Sequence, residues 1–327
     1  MPRQPPAGLE SLLPAIAAVF VCAVISVCIG VADLPELCGP GGDTARLLML
    51  LTTSRVPRTL ALIFAGAATA VAGLILQMMV RNRYVEPAMA GTVEGACLGM
   101  VLVMLFAPDL PVWGRMLVAA AGGLGATLLF LAILGRIRLR SMLVVPLTGI
   151  VLSGIIDAAT TFIAYRTDLM QSLVAWRTGD FSQVLAGRYE LLWIAGALTL
   201  LAAAMADRFT VAGLGRDTAI GLGVDHRRVV GMGLLIVAGV SASVVVTVGI
   251  IPFLGLVVPN VIALLVGDNL RRSVPLVALL GAGTALACDI TGRLIRFPYE
   301  IPIGVVIGSL GAAAFLWLLA RERRHLG

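Results

Sequence analysis

Asp289 and Arg293 stand four residues apart in "DITGRL", a spacing that sets an acid and a base on one face of a helix. Two chemistries fit: the pair neutralises itself in apolar surroundings, or Asp289 keeps a functional role such as proton carriage. Asp157, in "SGIIDAATT", is the other acid deep in an apolar run, among hydroxyl residues able to satisfy it. It reads as a polar residue held by those hydroxyls or as a proton carrier. Gln77 and Glu94 add polar groups near the ends of apolar runs, and "TSRVPRTL" (53–60) brackets Pro57 with Arg55 and Arg58. No HExxH, GxSxG or paired-acid motif accompanies them, so enzymatic chemistry has little to work with. His226 and His325 lack a companion at ligand spacing, and the five cysteines form no CxxC, so no metal site is expected.

The elements that must position these residues are membrane spans. Of 327 residues 59% are apolar and 13% charged, with 37 glycines and a mean hydropathy of +1.02, outside the range of a water-soluble fold. Apolar stretches of roughly 20 residues recur almost end to end, and their continuity favours helices over the alternating strands of a barrel. The fold class is an all-α polytopic membrane protein, one transmembrane domain over 1–327. About ten spans are expected, near 11–33, 58–80, 87–106, 115–135, 142–165, 190–206, 229–249, 252–267, 274–291 and 302–320. The run at 87–106 opens after Pro87 and is rich in glycine, so it is expected to be broken or tilted; the run at 11–33 reads as a retained first span. "GTVEG" (91–95), "GACLG" (95–99) and "GVVIG" (304–308) carry small residues at helix-contact spacing, which predicts a compact bundle.

All 24 basic residues are arginine. Without lysine the chain has no GxxxxGK[ST] phosphate loop; it binds no cofactor of its own, and any ATP is used by a partner. An even span count puts both termini on one side, and the arginines say which. Arg3, Arg81, Arg83, "RIRLR" (136–140), Arg208, Arg216, Arg227, Arg228, Arg271, Arg272 and the terminal "RERRH" fall inside. Fewer fall outside: Arg46, Arg55, Arg58, Arg115, Arg166, Arg177, Arg188, Arg293 and Arg296. The termini are therefore expected in the cytoplasm, and the sequence pI near 9.5 reflects topology rather than nucleic-acid binding. The inner loop 207–228 is too long for a turn and too polar to span. Its "RDTAIGLGV" core predicts a short helix offering Ala219, Ile220 and Leu222 either to a motor subunit or to lipid headgroups.

Nine blocks in order carry a resemblance: "RVPRTL" (55–60), "GAATAVAGLILQ" (66–77), "RN…EPAMAGTVEGA" (81–96), "WRTGDF" (176–181), "GLGVDHRRV" (221–229), "GIIPFLGLVVPN" (249–260), "GDNLRRSVPLVALLGA" (267–282), "DITGRL" (289–294) and "EIPIGVVIGSLGAAAFLWLL" (300–319). The chain resembles the FecCD-family permease subunits of binding-protein-dependent ABC importers for iron-siderophore, haem and cobalamin. The resemblance implies type II importer architecture in a bacterial inner membrane. It also implies a second permease subunit, identical or related, two ATP-binding subunits inside and a substrate-binding protein outside. By motif, the docking arginines for that binding protein fall on Arg55, Arg58 and Arg293. The ATPase-coupling segment falls on Arg216, Asp217, Ala219, Ile220, Gly221, Leu222, Gly223 and Val224. The inner gate falls on Asn82 and Tyr84, and the outer constriction on Arg166 and Thr167.

Two departures stand out. The family commonly has Asn-Pro-Leu where this chain has Asn82-Arg83-Tyr84, and Pro-His where it has Pro259-Asn260. The Pro-Asn form, with "GDNLR" and "PYEI", is similar to a branch handling catecholate or petrobactin-type siderophores. The expected function is import of an iron-siderophore complex driven by partner ATPases, with no enzymatic activity in this chain. The alternatives are a haem or cobalamin permease of the same family and an ion-coupled secondary transporter using Asp157 or Asp289.

Overall fold

The computed structural model describes residues 9–30, 44–136, 144–267 and 269–326, which are mostly helical and hold no strand. Helix α1 spans Leu9–Cys28. Helix α2 (Thr44–Leu50) runs through a π turn, Leu51–Arg55, into α3 (Val56–Val80). There follow α4 (Thr92–Phe106), α5 (Val112–Arg136), α6 (Val144–Arg166), α7 (Met170–Arg177), α8 (Leu191–Ala204), α9 (Ala206–Gly213), α10 (Arg216–Gly221), α11 (His226–Val248), α12 (Leu254–Val266), α13 (Leu270–Ile295) and α14 (Ile303–Leu326). Each expected span thus has its helix, in α1, α3, α4, α5, α6, α8, α11, α12, α13 and α14. Part of the "RIRLR" run and residues 31–33 of the first apolar run lie outside the described residues.

By length and composition five of the described helices can cross a membrane alone, or six if α8 and α9, bent by 66° at Met205, form one span. The apolar helices Leu12–Cys28, Thr92–Phe106, Leu254–Val266 and Ile303–Leu318 are shorter. For α4 the cause is the break anticipated after Pro87. A 3-10 turn at Pro87–Ala90 and Gly91, at φ +75°, delay the helix until Thr92. A Cβ on Gly255 would lie 3.0 Å from Pro87 Cδ, and Gly255 itself packs on Gly73. Pro87 is thus level with Gly73, roughly 10 Å back from the end of α3 at a rise of about 1.5 Å per residue. The connection folds back into the bundle, so α4 starts at depth and needs fewer residues to reach the far side.

The span expected at 58–80 opens just after Pro57, yet Pro57 sits inside a helix that runs on from α2. It has no N–H for the carbonyl of Thr53 four residues back. The helix widens into the π turn there, and Thr53 O accepts instead from the N–H of Ala186 at 2.9 Å.

Helix α3 is the centre of the molecule, packed against α8, α11, α12 and α13 and buried along most of its length. Small residues permit this closeness. A Cβ on Gly66 would come within 2.6 Å of the Gly281 carbonyl of α13, and one on Gly73 within 1.9 Å of the Gly255 carbonyl of α12. The expected contact role of "GTVEG" and "GACLG" is seen at Gly95, which meets Gly122 of α5, and at Gly99, which meets Val118 and Ala119. In "GVVIG", Gly304 lies against Gly179.

Gly73→Ala should therefore force α3 and α12 apart and lower stability by about 1–3 kcal/mol, read as a lower midpoint in detergent thermal unfolding. Gly125→Ala, with open space around the added methyl, should leave the midpoint unchanged.

Candidate functional site

Chemistry gathers at both ends of the bundle and at one site between them. At the first end α1 stops, leaving carbonyls without helical donors. Arg293 Nη1 donates to Ser26 O and Ile29 O, both at 3.0 Å, and Arg55 Nη1 donates to Val27 O at 2.9 Å and Cys28 O at 3.1 Å. Two guanidinium groups thus take four consecutive carbonyls, with positive charge at the negative end of the helix dipole. Arg293 Nη2 also donates to the Ser26 hydroxyl at 2.6 Å and pairs with Asp289, the helical pairing that the spacing allowed. The other Asp289 oxygen accepts from Arg58 Nη2 at 2.7 Å, and Arg58 Nη1 reaches Glu300 at 2.8 and 3.1 Å. Asp289 is 3% exposed and joins two arginines.

The three arginines marked for docking are thus brought together, but inward. Arg55 and Arg293 are buried among the carbonyls of α1, and Arg58 reaches the surface only beside Glu300. Sequence reasoning missed Glu300 and Ser26. Neither lies near its partners along the chain, and only the exposed "PYEI" turn after α13 hinted at a carboxylate.

Asp157 is held by one of the hydroxyls that its sequence neighbourhood offers and also by an arginine that the sequence did not reveal. It pairs with Arg177 and accepts from Thr161 Oγ1 at 3.4 Å. Arg177, expected outside the membrane, is carried inward because α7 doubles back after α6. Arg166 is exposed at the end of α6, and the Thr167 hydroxyl is used within that helix, donating to Ile163 O at 2.8 Å.

At the opposite end Pro259 interrupts α12 and removes the donor for Gly255 O. Gln77 Nε2 of α3 supplies one at 3.2 Å. Asn260 Nδ2 donates to Leu256 O at 2.7 Å and to Arg83 O at 2.9 Å, tying α12 to the turn after α3. Asn82 is buried, and its side-chain oxygen accepts from the Tyr84 N–H at 2.9 Å, so it shapes the turn. Tyr84 stacks edge-on to Phe315, which also packs on Phe253. Gln77, Asn82, Arg83 and Asn260 line a cavity of about 270 Å³. The two family departures, Arg83-Tyr84 and Asn260, therefore meet in one structure.

The segment 207–228 contains α9 and α10, joined at Gly215 with φ +114°. The short helix expected from "RDTAIG" is present as Arg216–Gly221. Ile220 and Leu222 are 57% and 61% exposed, whereas Ala219 is fully buried and faces inward. Arg216, Asp217, Gly221 and Gly223 are exposed and Val224 is half-buried. Among the described residues no three His, Cys, Asp or Glu side chains converge as metal ligands.

Comparison with known proteins places this geometry. The family model described as the FecCD transport family matches residues 13–321. The chain is 42% identical over 310 residues to the petrobactin import system permease protein YclN of Bacillus subtilis, covering 94% of this chain and 96% of that one. It is 39% identical to the petrobactin import system permease protein FatD of Bacillus anthracis, covering 95% and 91%. A solved inward-facing conformation of a metal-chelate type ABC transporter superposes with a TM-score of 0.82 at 25% identity, covering 95% of this chain and 99% of that one.

Asp289→Asn should leave two buried guanidinium groups short of countercharge and cost about 3–5 kcal/mol. Glu300→Gln, at the exposed rim, should cost about 1 kcal/mol or less. Thermal unfolding of the two variants in detergent measures the contrast.

Proposed function

The chain belongs to the FecCD transport family, and from that premise we propose that it is the membrane permease subunit of an ABC importer carrying an iron-siderophore complex into a bacterial cell. The observation that carries this reading is likeness to petrobactin permeases over nearly the whole length of both chains. The chain is a transport subunit rather than an enzyme. ATP is hydrolysed by two partner subunits, and a binding protein delivers the cargo outside. A second permease subunit completes the path, and its identity is set by which chain covers α6, whose Leu147, Ile150, Ile155 and Phe162 are exposed.

The termini lie in the cytoplasm of a bacterium whose inner membrane holds the protein. The Asn82 end and α10 are then internal, and the Arg58 end is external. Exposed Ile220 and Leu222 offer an apolar contact to the ATPase, while buried Ala219 anchors α10 to the bundle. ATP-driven closure of the motor pushes α10, and α9 passes the movement to α11, α13 and α3, which it contacts. At the inner end the turn held by Asn82 and Asn260 sets the position of Tyr84, the gate. Arg58 is the docking arginine at the outer face, with Arg55 and Arg293 supporting it from behind, and Arg166 and Thr167 flank the outer constriction. Asp157 and Asp289, the two acids that the ion-coupled alternative would use, are each held by arginine, which speaks against that alternative.

In proteoliposomes holding the permease with its ATPase, binding protein loaded with a ferric catecholate or carboxylate siderophore should stimulate ATP hydrolysis and uptake together. Uptake without ATP that collapses with an uncoupler would overturn the reading. Ile220→Asp and Leu222→Asp should abolish stimulation while binding-protein docking persists. Glu300→Gln, which releases Arg58 from its rim partner, should tighten docking severalfold at low salt and less at high salt, where exposed charges are screened within about 8 Å; binding-protein titration on nanodiscs measures both.

A further inference from the structure

We propose that the notch between α1, α9 and α13 is a binding site for one anionic phospholipid, whose phosphate pairs with Arg272 and whose first acyl carbons rest on Leu12, Pro275 and Leu276. The proposal needs only that the chain spans a membrane, so it depends neither on the cargo nor on the ATPase.

Helices α1 and α13 run side by side in the same direction. Leu12 and Leu276 line one cavity, Val19 Cγ2 lies 3.5 Å from where a Cβ on Gly283 would be, and the Ser26 hydroxyl holds Arg293. The notch is therefore at the far end of this seam from the charge network, about 24 Å away from Leu12 to Cys28 at the helical rise. That distance approaches the hydrocarbon thickness of about 30 Å, so network and notch sit at opposite lipid boundaries. Helix α9 closes the third side. Its 66° bend from α8 tips it toward the membrane plane, with Phe209 and Ala212 buried and Asp207 and Arg208 exposed, as an interfacial helix requires.

The notch, about 530 Å³ in volume, has two kinds of wall. Leu12, Pro275 and Leu276 form the apolar one, and exposed Leu13, Ile16 and Phe20 carry apolar surface onward along α1 toward the membrane centre. Asp207, Arg271 and Arg272 form the charged one. Arg271 Nη1 already pairs with Asp207 at 3.3 Å. Arg272 is exposed, and among the described residues no carboxylate pairs with it; Asp268 lies outside those residues. A soluble anion would answer the arginine and leave the apolar wall wet. An uncharged lipid would cover the wall and leave the arginine unanswered. A ligand with an anionic head joined to acyl chains satisfies both, and basic pockets between helices at the lipid boundary recognise such lipids. The orientation proposed above puts this boundary in the cytoplasmic leaflet. A lipid held there fills the space between the three helices and braces α9, which contacts α13 and leads into α10.

Full-length permease in a neutral detergent, titrated with phosphatidylglycerol, phosphatidylcholine or inorganic phosphate, tests this, with retained lipid counted by native mass spectrometry and binding followed by the thermal midpoint. Phosphatidylglycerol should be retained and raise the midpoint, and the other two should do neither at the same concentration. Arg272→Gln should weaken phosphatidylglycerol binding about fivefold while leaving the lipid-free midpoint unchanged. Asp207→Asn, which frees Arg271 for the phosphate, should tighten binding severalfold. Arg227→Gln, at an exposed arginine on α11 outside the notch, should change nothing. The proposal is overturned if phosphatidylcholine binds as tightly, or if inorganic phosphate alone reproduces the stabilisation, which would make this a free-anion site. It is also overturned if Arg227→Gln weakens binding as much as Arg272→Gln, the mark of general surface charge, or if Asp207→Asn fails to tighten it.

Discussion

Four carbonyl groups at the end of α1 have no partner within their own helix, and two arginines take all of them. In an apolar medium a lone backbone acceptor costs several kcal/mol, and a lone guanidinium costs more. Each need answers the other, and the rest of the network follows. Arg293, held against α1, fixes Asp289 on its own helix; Asp289 fixes Arg58 at the head of α3; Arg58 fixes Glu300 in the connection to α14. Three stretches distant in sequence, α1, the head of α3, and α13 with the turn after it, are joined by charges and carbonyls that hold one another.

Proline extends the same rule. Pro57 frees the Thr53 carbonyl, which Ala186 takes, and Pro259 frees the Gly255 carbonyl, which Gln77 takes. Each proline removes one donor from its helix, and the freed carbonyl bonds to a remote segment. Asn260 does similar work from its own amide, reaching the carbonyl of Arg83 across to the turn that carries Tyr84. The polar residues of this bundle are scarce, and many of them serve as ties between helices. The glycines serve the complementary need, letting backbones meet where such ties would have no space.

Local order was legible in the sequence, and distant pairing was not. Continuous apolar runs located the helices because burial of a helix in lipid depends on nearby residues alone. The Asp289–Arg293 pair was readable because helical spacing fixes it. Arg58 with Glu300 was not, because 242 residues separate them and only the packing of α13 on α3 closes the gap. Arg177 was misplaced for a related reason: hydropathy shows a polar break after α6 but not that α7 turns back into the bundle. Ala219 was assigned to a partner-facing side, although a six-residue helix has too few positions for its pattern to reveal which side is buried. The arginines that broke the charge rule of the outer segments are largely internal, so their presence there owes more to carbonyls and carboxylates than to topology.

The charge network ties α1, α3 and α13 into one frame, and α6 with its α7 hairpin lies outside that network. Distances between paired spin labels in the reconstituted transporter measure this directly, one pair joining Phe20 on α1 to Leu294 on α13 and another joining Tyr165 on α6 to Leu294, all exposed sites. Between the nucleotide-free and ATP-trapped states the first distance should stay constant while the second shifts by several ångströms. A changing first distance beside a constant second one would contradict the fixed frame.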